Sequence, residues 1–317
     1  DFSPDPEFFF IPNDLFDGDF ERFVGALNFR SGKAAFDPAP GVYRIMTAGG
    51  SNTWGQGIED PKNTFSGLLE TCLNDRAGGQ KYEVLNIGQR GFALFHLYRL
   101  IENYGLKYHP RLLILYVNRN DAQAGNGPFT YRELWDMKHQ GRWNEVRDFY
   151  DNLKLPPKQQ TDHWLLSLQD RFQRFRLYNG LVKIVLPIRR GAMQPLANVL
   201  NIEKKINPPK DYRWGLLNMI ELCRKNDIRL VFVDEFDVDS DPRIEVGQTD
   251  LNREVRRIME ETAMQYQVPY LPVHAMLHQR DDKESLVFPF DRIHLNLKGH
   301  KEVAKALCGY LEKNILP

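Results

Sequence analysis

From Val42 onward, apolar and polar positions alternate in blocks of two kinds. Short apolar runs occur at Val42–Ala48, Tyr82–Ile87, Leu112–Val117, Ile228–Val233 and Val268–Val273. Their length and their β-branched and aromatic content predict five strands, the third (LLILYV) buried on both faces. Between them, apolar residues recur at three- and four-residue spacing. Phe65, Leu68, Leu69, Cys72 and Leu73 form one stripe, with Asn63 or Thr64 as the cap and Gly78-Gly79 after the end. Leu97, Leu100, Ile101 and Tyr104 form a second. Leu216, Leu217, Ile220 and Cys223 form a third, and Leu251, Val255, Ile258, Met259 and Thr262 a fourth. A last stripe carries Val303, Ala304, Leu307 and Leu311. Strands alternating with helices predict βαβ units, hence an α/β fold of three layers, α/β/α, on a five-stranded parallel sheet. Ligands of such sheets bind beyond the carboxyl ends of the strands.

Two stretches break the alternation. Residues 1–40 are rich in Phe, Asp and Pro without a clear period, and read as an arm packing on a single domain that spans 41–317. A long insertion, about 122–210, follows the third strand. It holds Trp135, Trp143 and Trp164 and a helical pattern from Trp164 to Val185. It reads as an elaboration packed against the domain with its basic residues solvated; the competing reading is a lid or membrane-surface element over the site.

Composition narrows the function. The 317 residues balance 42 basic against 42 acidic side chains, which gives no footprint for nucleic acid. No run of eighteen apolar residues is present, so no spanning helix is expected. The three cysteines lie on helical apolar stripes and read as buried small hydrophobes, ahead of one disulfide with one free thiol; without a CxxC pair, no zinc or redox site is expected. His274 and His278, four apart, lack the glutamate of a metalloprotease helix, so no metal is expected. The chain starts at Asp1 without Met and shows no signal peptide. An extracytoplasmic location is expected over a cytoplasmic one, with any export signal or anchor absent from view.

Chemistry-bearing residues fall where strands end. Gly49-Gly50-Ser51-Asn52-Thr53 follows the first strand and puts a hydroxyl at the rim. Thr53 breaks the G-x-S-x-G elbow, and Gln56-Gly57 breaks a phosphate loop. Gly88, in Asn86-Ile87-Gly88-Gln89-Arg90-Gly91, can present a bare amide to an oxyanion, and Asn118-Arg119-Asn120-Asp121 offers a carboxamide. Asp291-Arg292-Ile293-His294 precedes the last helix. A carboxylate three residues from an imidazole can fix its tautomer, leaving the other nitrogen to take a proton from serine.

Taken together, Gly50-Ser51-Asn52, Gly88, Asn120-Asp121 and Asp291-x-x-His294 resemble the four blocks of the SGNH/GDSL hydrolase family, in the same order and spacing. The resemblance implies a flavodoxin-like sheet and ester or acyl-group hydrolysis without a cofactor. It implies Ser51 as nucleophile, His294 as base and Asp291 as its orienter, with Ser51 N–H, Gly88 N–H and the Asn120 side chain as the oxyanion hole. Gly50 stands where the family name has Asp, a position with no catalytic role. Asn118 stands where the third block has Gly, which bears on how Asn120 is aimed. The expected activity is cleavage of a short acyl or acetyl ester on a small molecule or a glycan. The alternatives are an O-acyltransferase using the same triad, and a silent binding protein.

Overall fold

The computed structural model describes residues 2–5, 9–12, 30–32, 34–76, 78–117, 121, 129–152, 209–238, 248–289 and 293–316. Strands β1 (Phe2–Asp5) and β2 (Phe9–Pro12) pair antiparallel. The first forty residues therefore contain a hairpin that their lack of periodicity did not predict.

β3 (Val42–Gly49) leads directly into a single helical turn, α1 (Ser51–Trp54). Helix α2 (Phe65–Arg76) follows, and Thr64 Oγ1 accepts from Gly67 N at its start. Then come β4 (Lys81–Asn86), α3 (Leu94–Asn103) and β5 (Leu112–Val117). Within the stretch expected as an insertion, α4 (Tyr131–His139) and α5 (Trp143–Asn152) are described. The pattern from Trp164 to Val185 lies outside the described residues. The chain continues through α6 (Pro209–Lys225), β6 (Arg229–Asp234), α7 (Gln248–Tyr266), β7 (Tyr270–Leu271), α8 (Val273–His278) and α9 (Leu297–Asn314).

The main sheet is five-stranded and parallel, in the order β4-β3-β5-β6-β7, the flavodoxin-like arrangement. The last strand is shorter than its apolar run predicts. Pro269 and Pro272 flank it, and neither can donate to a ladder, so only Tyr270 and Leu271 pair with β6.

Pleating divides each strand between two cores. From β5, Leu113, Leu115 and Val117 pack with residues of α3, α6 and α7. Leu112, Ile114 and Tyr116 pack on the opposite face with residues of α2 and α9. A satellite cluster joins Phe95 to Tyr131, Leu134, Met137 and Val146, which seats α4 and α5 against α3.

Helices α2 and α9 are stitched together along their length. His300 Nδ1 accepts from Phe65 N at 3.0 Å near the two N-termini. Arg76 pairs with Glu312 at 2.8 Å near the C-termini. Between these, Cys72 and Cys308 form a disulfide, with Cα atoms 6.4 Å apart. The expectation of three unbonded hydrophobic cysteines is thus corrected. Two apolar stripes that face each other bring these two thiols together, and Cys223 alone is free and buried.

The cross-link spans 236 positions, so breaking it releases a long loop in the unfolded chain and should cost about 2–4 kcal/mol. Cys72→Ser, or dithiothreitol on the unmodified protein, is expected to lower the urea midpoint and Tm, with one thiol titratable before reduction and three after. Three reactive thiols in the unreduced, denatured protein would show that the bond does not form.

Candidate active site

The nucleophile candidate is placed by steric necessity. A Cβ on Gly49 would lie 2.0 Å from Thr53 Oγ1 and 2.3 Å from the Tyr116 carbonyl. Only glycine lets β3 run into α1 this close to β5, and Ser51 emerges half-buried at the carboxyl rim. Arg30 braces the same turn: its Nε donates to the Trp54 carbonyl at 3.2 Å, and the guanidinium lies over the Trp54 ring.

His294 reaches Ser51 from the far end of the chain. Its Nε2 lies 2.9 Å from Ser51 Oγ, across 243 positions of sequence. The segment that carries it is held from outside. Val287 and Leu295 form an antiparallel bridge, Phe288 N donates to the His294 carbonyl at 2.9 Å, and Asn296 N donates to the Leu286 carbonyl at 3.0 Å. Asn296 then caps α9 through its side chain.

Of the remaining expected site residues, Asn120 and Asp291 lie outside the described residues, as does Asn118. Gly88 is described. A Cβ there would fall 2.6 Å from Trp54 N, so close approach to the Ser51–Trp54 turn alone requires glycine. Its amide already donates to Asn86 Oδ1 at 3.0 Å, while Asn86 Nδ2 donates to the Thr53 carbonyl at 2.6 Å. Any oxyanion drawing on Gly88 must share that N–H.

Sequence reasoning missed a belt of buried polar groups around the pair. Asn52, quoted only as a neighbour of Ser51, is 1% exposed and bonds Glu235 at 2.6 Å. The signal for Glu235 was present. It follows an apolar strand within Asp234-Glu235-Phe236-Asp237, where carboxylates meet the carboxyl edge of the sheet. Asp121 accepts from Leu94 N at 2.7 Å, and burial raises its carboxyl pKa to about 7. Asp234 accepts from His274 N and the Tyr270 hydroxyl, both at 2.9 Å; burial again dominates and lifts its pKa to about 6. His300 is fully buried, and burial pushes its pKa down to about 3.

The structure brings a serine and a histidine into contact at the carboxyl rim of a flavodoxin-like sheet. A family model described as the GDSL-like lipase/acylhydrolase family matches residues 47–302. The chain belongs to that family and is an esterase or acylhydrolase. Among solved structures it resembles the lipase/acylhydrolase from Enterococcus faecalis at 12% identity, over 86% of this chain and 97% of that one, with a TM-score of 0.54. It also resembles the acetyl xylan esterase AlAXEase at 13% identity, over 84% and 99%, with a TM-score of 0.51. These likenesses establish the fold. No curated protein matches the sequence.

Two buried histidines and a partly buried third make the fold sensitive to acid. Burial depresses His300 to about 3, and His96 and His274 to about 4. Each is neutral in the folded chain and titrates near 6.5 when unfolded, so its contribution is whole above about pH 6.5 and is lost as pH falls toward 3–4. Raised carboxyls act in the opposite window: Asp121 and Asp234 favour the fold at low pH and lose that contribution as pH rises through about 6–7. His300→Asn keeps an acceptor for Phe65 N and removes the titrating ring. The variant should lose stability less steeply between pH 6.5 and 4 in urea titrations, by up to about 1.4 kcal/mol per pH unit. An unchanged slope would remove His300 from the acid response.

Proposed function

We propose that the protein cleaves a short acyl or acetyl ester, on a small molecule or a glycan, through an acyl-enzyme on Ser51. What carries the reading is the 2.9 Å separation of His294 Nε2 and Ser51 Oγ. As Ser51 Oγ attacks the carbonyl carbon, His294 takes its proton. Asp291 orients the imidazole and stabilises its charge. The tetrahedral oxyanion is held by the Ser51 amide, the Asn120 carboxamide and the Gly88 amide, the last shared with Asn86. Collapse expels the alcohol, which receives the proton from His294. Water then attacks the acyl carbon as the same ring takes its proton, and His294 returns that proton to Ser51 Oγ as the acyl–Oγ bond breaks and the carboxylic acid leaves. Each oxyanion donor is worth about 3–4 kcal/mol of barrier.

The disulfide supports an oxidising, extracytoplasmic compartment. Among the described residues no helix is long and apolar enough to cross a membrane.

The test is hydrolysis of p-nitrophenyl esters in a chain-length series. Ser51→Ala should reduce kcat by about 10⁴-fold or more, and His294→Ala comparably. Asp291→Asn should reduce it by about 10⁴-fold through the wrong tautomer. A serine-directed fluorophosphonate should add to Ser51 alone, as read by peptide mass spectrometry. Unchanged turnover in Ser51→Ala, or labelling at another serine, would reassign the nucleophile. Acyl release to water supports hydrolysis; acyl found on an added sugar acceptor in preference to water would make the enzyme a transferase.

A further inference from the structure

Asn52 occupies an unusual place between the two reacting side chains. It follows Ser51 in sequence, yet its carboxamide bonds the backbone on both sides of His294. Oδ1 accepts from Leu295 N at 2.8 Å, and Nδ2 lies 3.4 Å from the Ile293 carbonyl. The same Nδ2 donates to Glu235 Oε1 at 2.6 Å, from the residue that follows β6. Asn52 and Glu235 are 1% and 5% exposed, so water does not compete for these groups.

The chemistry of the three contacts dictates the residue type. A carboxamide has one donating and one accepting end. A carboxylate only accepts, so Glu235 forces Nδ2 toward itself and leaves Oδ1 facing the Leu295 amide. Were the amide flipped, oxygen would face the Glu235 carboxylate and nitrogen would face the Leu295 N–H, which loses both bonds. Glu235 thereby selects the one amide orientation that grips the His294 segment. Elsewhere that segment is held by its own strand-like pairing with Leu286–Phe288, on which Ser51 has no purchase. Asn52 is a direct link from the nucleophile turn to the histidine backbone.

We propose that Asn52, oriented by Glu235, is a positioning residue that sets the Ser51–His294 separation, and that catalysis depends on the polarity of this pair. This rests on the reading of Ser51 as nucleophile and His294 as base. Displacement of a reacting group by about 1 Å can cost on the order of 100-fold in rate. The loss should fall on kcat and on phosphonate labelling, with KM nearly unchanged, because Asn52 is buried beneath the pair.

The experiment compares Asn52→Ala, Asn52→Asp, Glu235→Gln and the double variant N52D/E235Q in the p-nitrophenyl ester assay, normalised to the folded fraction from thermal melts. Asn52→Asp sets two carboxylates together and should lower kcat by about 100-fold, with Asn52→Ala close behind. In N52D/E235Q the new glutamine donates to the new aspartate, which still accepts from Leu295 N, so kcat should recover at least tenfold over N52D. A role limited to folding would lower the melting temperature and leave kcat per folded molecule alone, and that outcome overturns the proposal. So does a double variant no better than N52D. If N52D fails to fold, the Asn52→Ala kcat and labelling rate decide. Ser51→Ala runs in parallel. If it stays active, the site assignment has failed; if it is dead while the Asn52 variants match wild type, only the positioning role has.

Discussion

The proposed proton transfer from Ser51 to His294 requires two segments 243 positions apart to hold a 2.9 Å contact. Most of the molecule behind the rim serves that requirement. Ser51 precedes α2 and His294 precedes α9, and these two helices pack on the same face of the sheet. Three ties of different chemistry hold them in one register: the Phe65–His300 hydrogen bond, the Cys72–Cys308 bridge and the Arg76–Glu312 ion pair, at separations of 235, 236 and 236 positions. The near-constant offset means that the helices run side by side without sliding. The ion pair is largely exposed and contributes little. The buried imidazole and the covalent bond carry the alignment.

The same rim solves a second problem common to all helices. The first amides of a helix have no partner within it. Here several are met by side chains from elsewhere in the fold. Phe65 N bonds His300, Leu94 N bonds Asp121, and His274 N bonds Asp234. Each acceptor comes from a distant segment, so satisfying the helix start also fixes where the helix sits. Burial of these acceptors has an electrostatic consequence. The imidazole is held neutral, while the two carboxyls are pushed toward their protonated forms. The rim is polar yet poorly solvated, the setting in which directed hydrogen bonds are strongest.

What could be read from sequence follows from the range of the interactions involved. Four of the five core strands were legible to within a residue or two, because periodicity is local. The fifth shrank because Pro269 and Pro272 remove ladder donors, a fact also present in the sequence but masked by the apolar run around them. The meeting of Ser51 and His294 was legible because their positions at strand and helix boundaries, and their family resemblance, are local signals. The disulfide was not, since Cys72 and Cys308 look like any stripe cysteine until α2 meets α9. Nor were the roles of Asn52 and Glu235, whose bond joins positions 183 apart.

A division of labour among polar side chains accounts for that last gap. Carboxylates at this rim accept from helix starts, which needs only lone pairs. Joining one loop to another takes a group that donates and accepts at once, and two asparagines do this on either side of Ser51. Asn86 links the Thr53 carbonyl to the Gly88 amide, and Asn52 links the segment around His294 to Glu235. The Ser51 turn is thus held by one carboxamide toward the glycine turn and by another toward the histidine. An asparagine in a turn ordinarily reads as a residue that tolerates bent backbone. Its value here lies in having two different ends, which a sequence displays only once the loops to be joined are known.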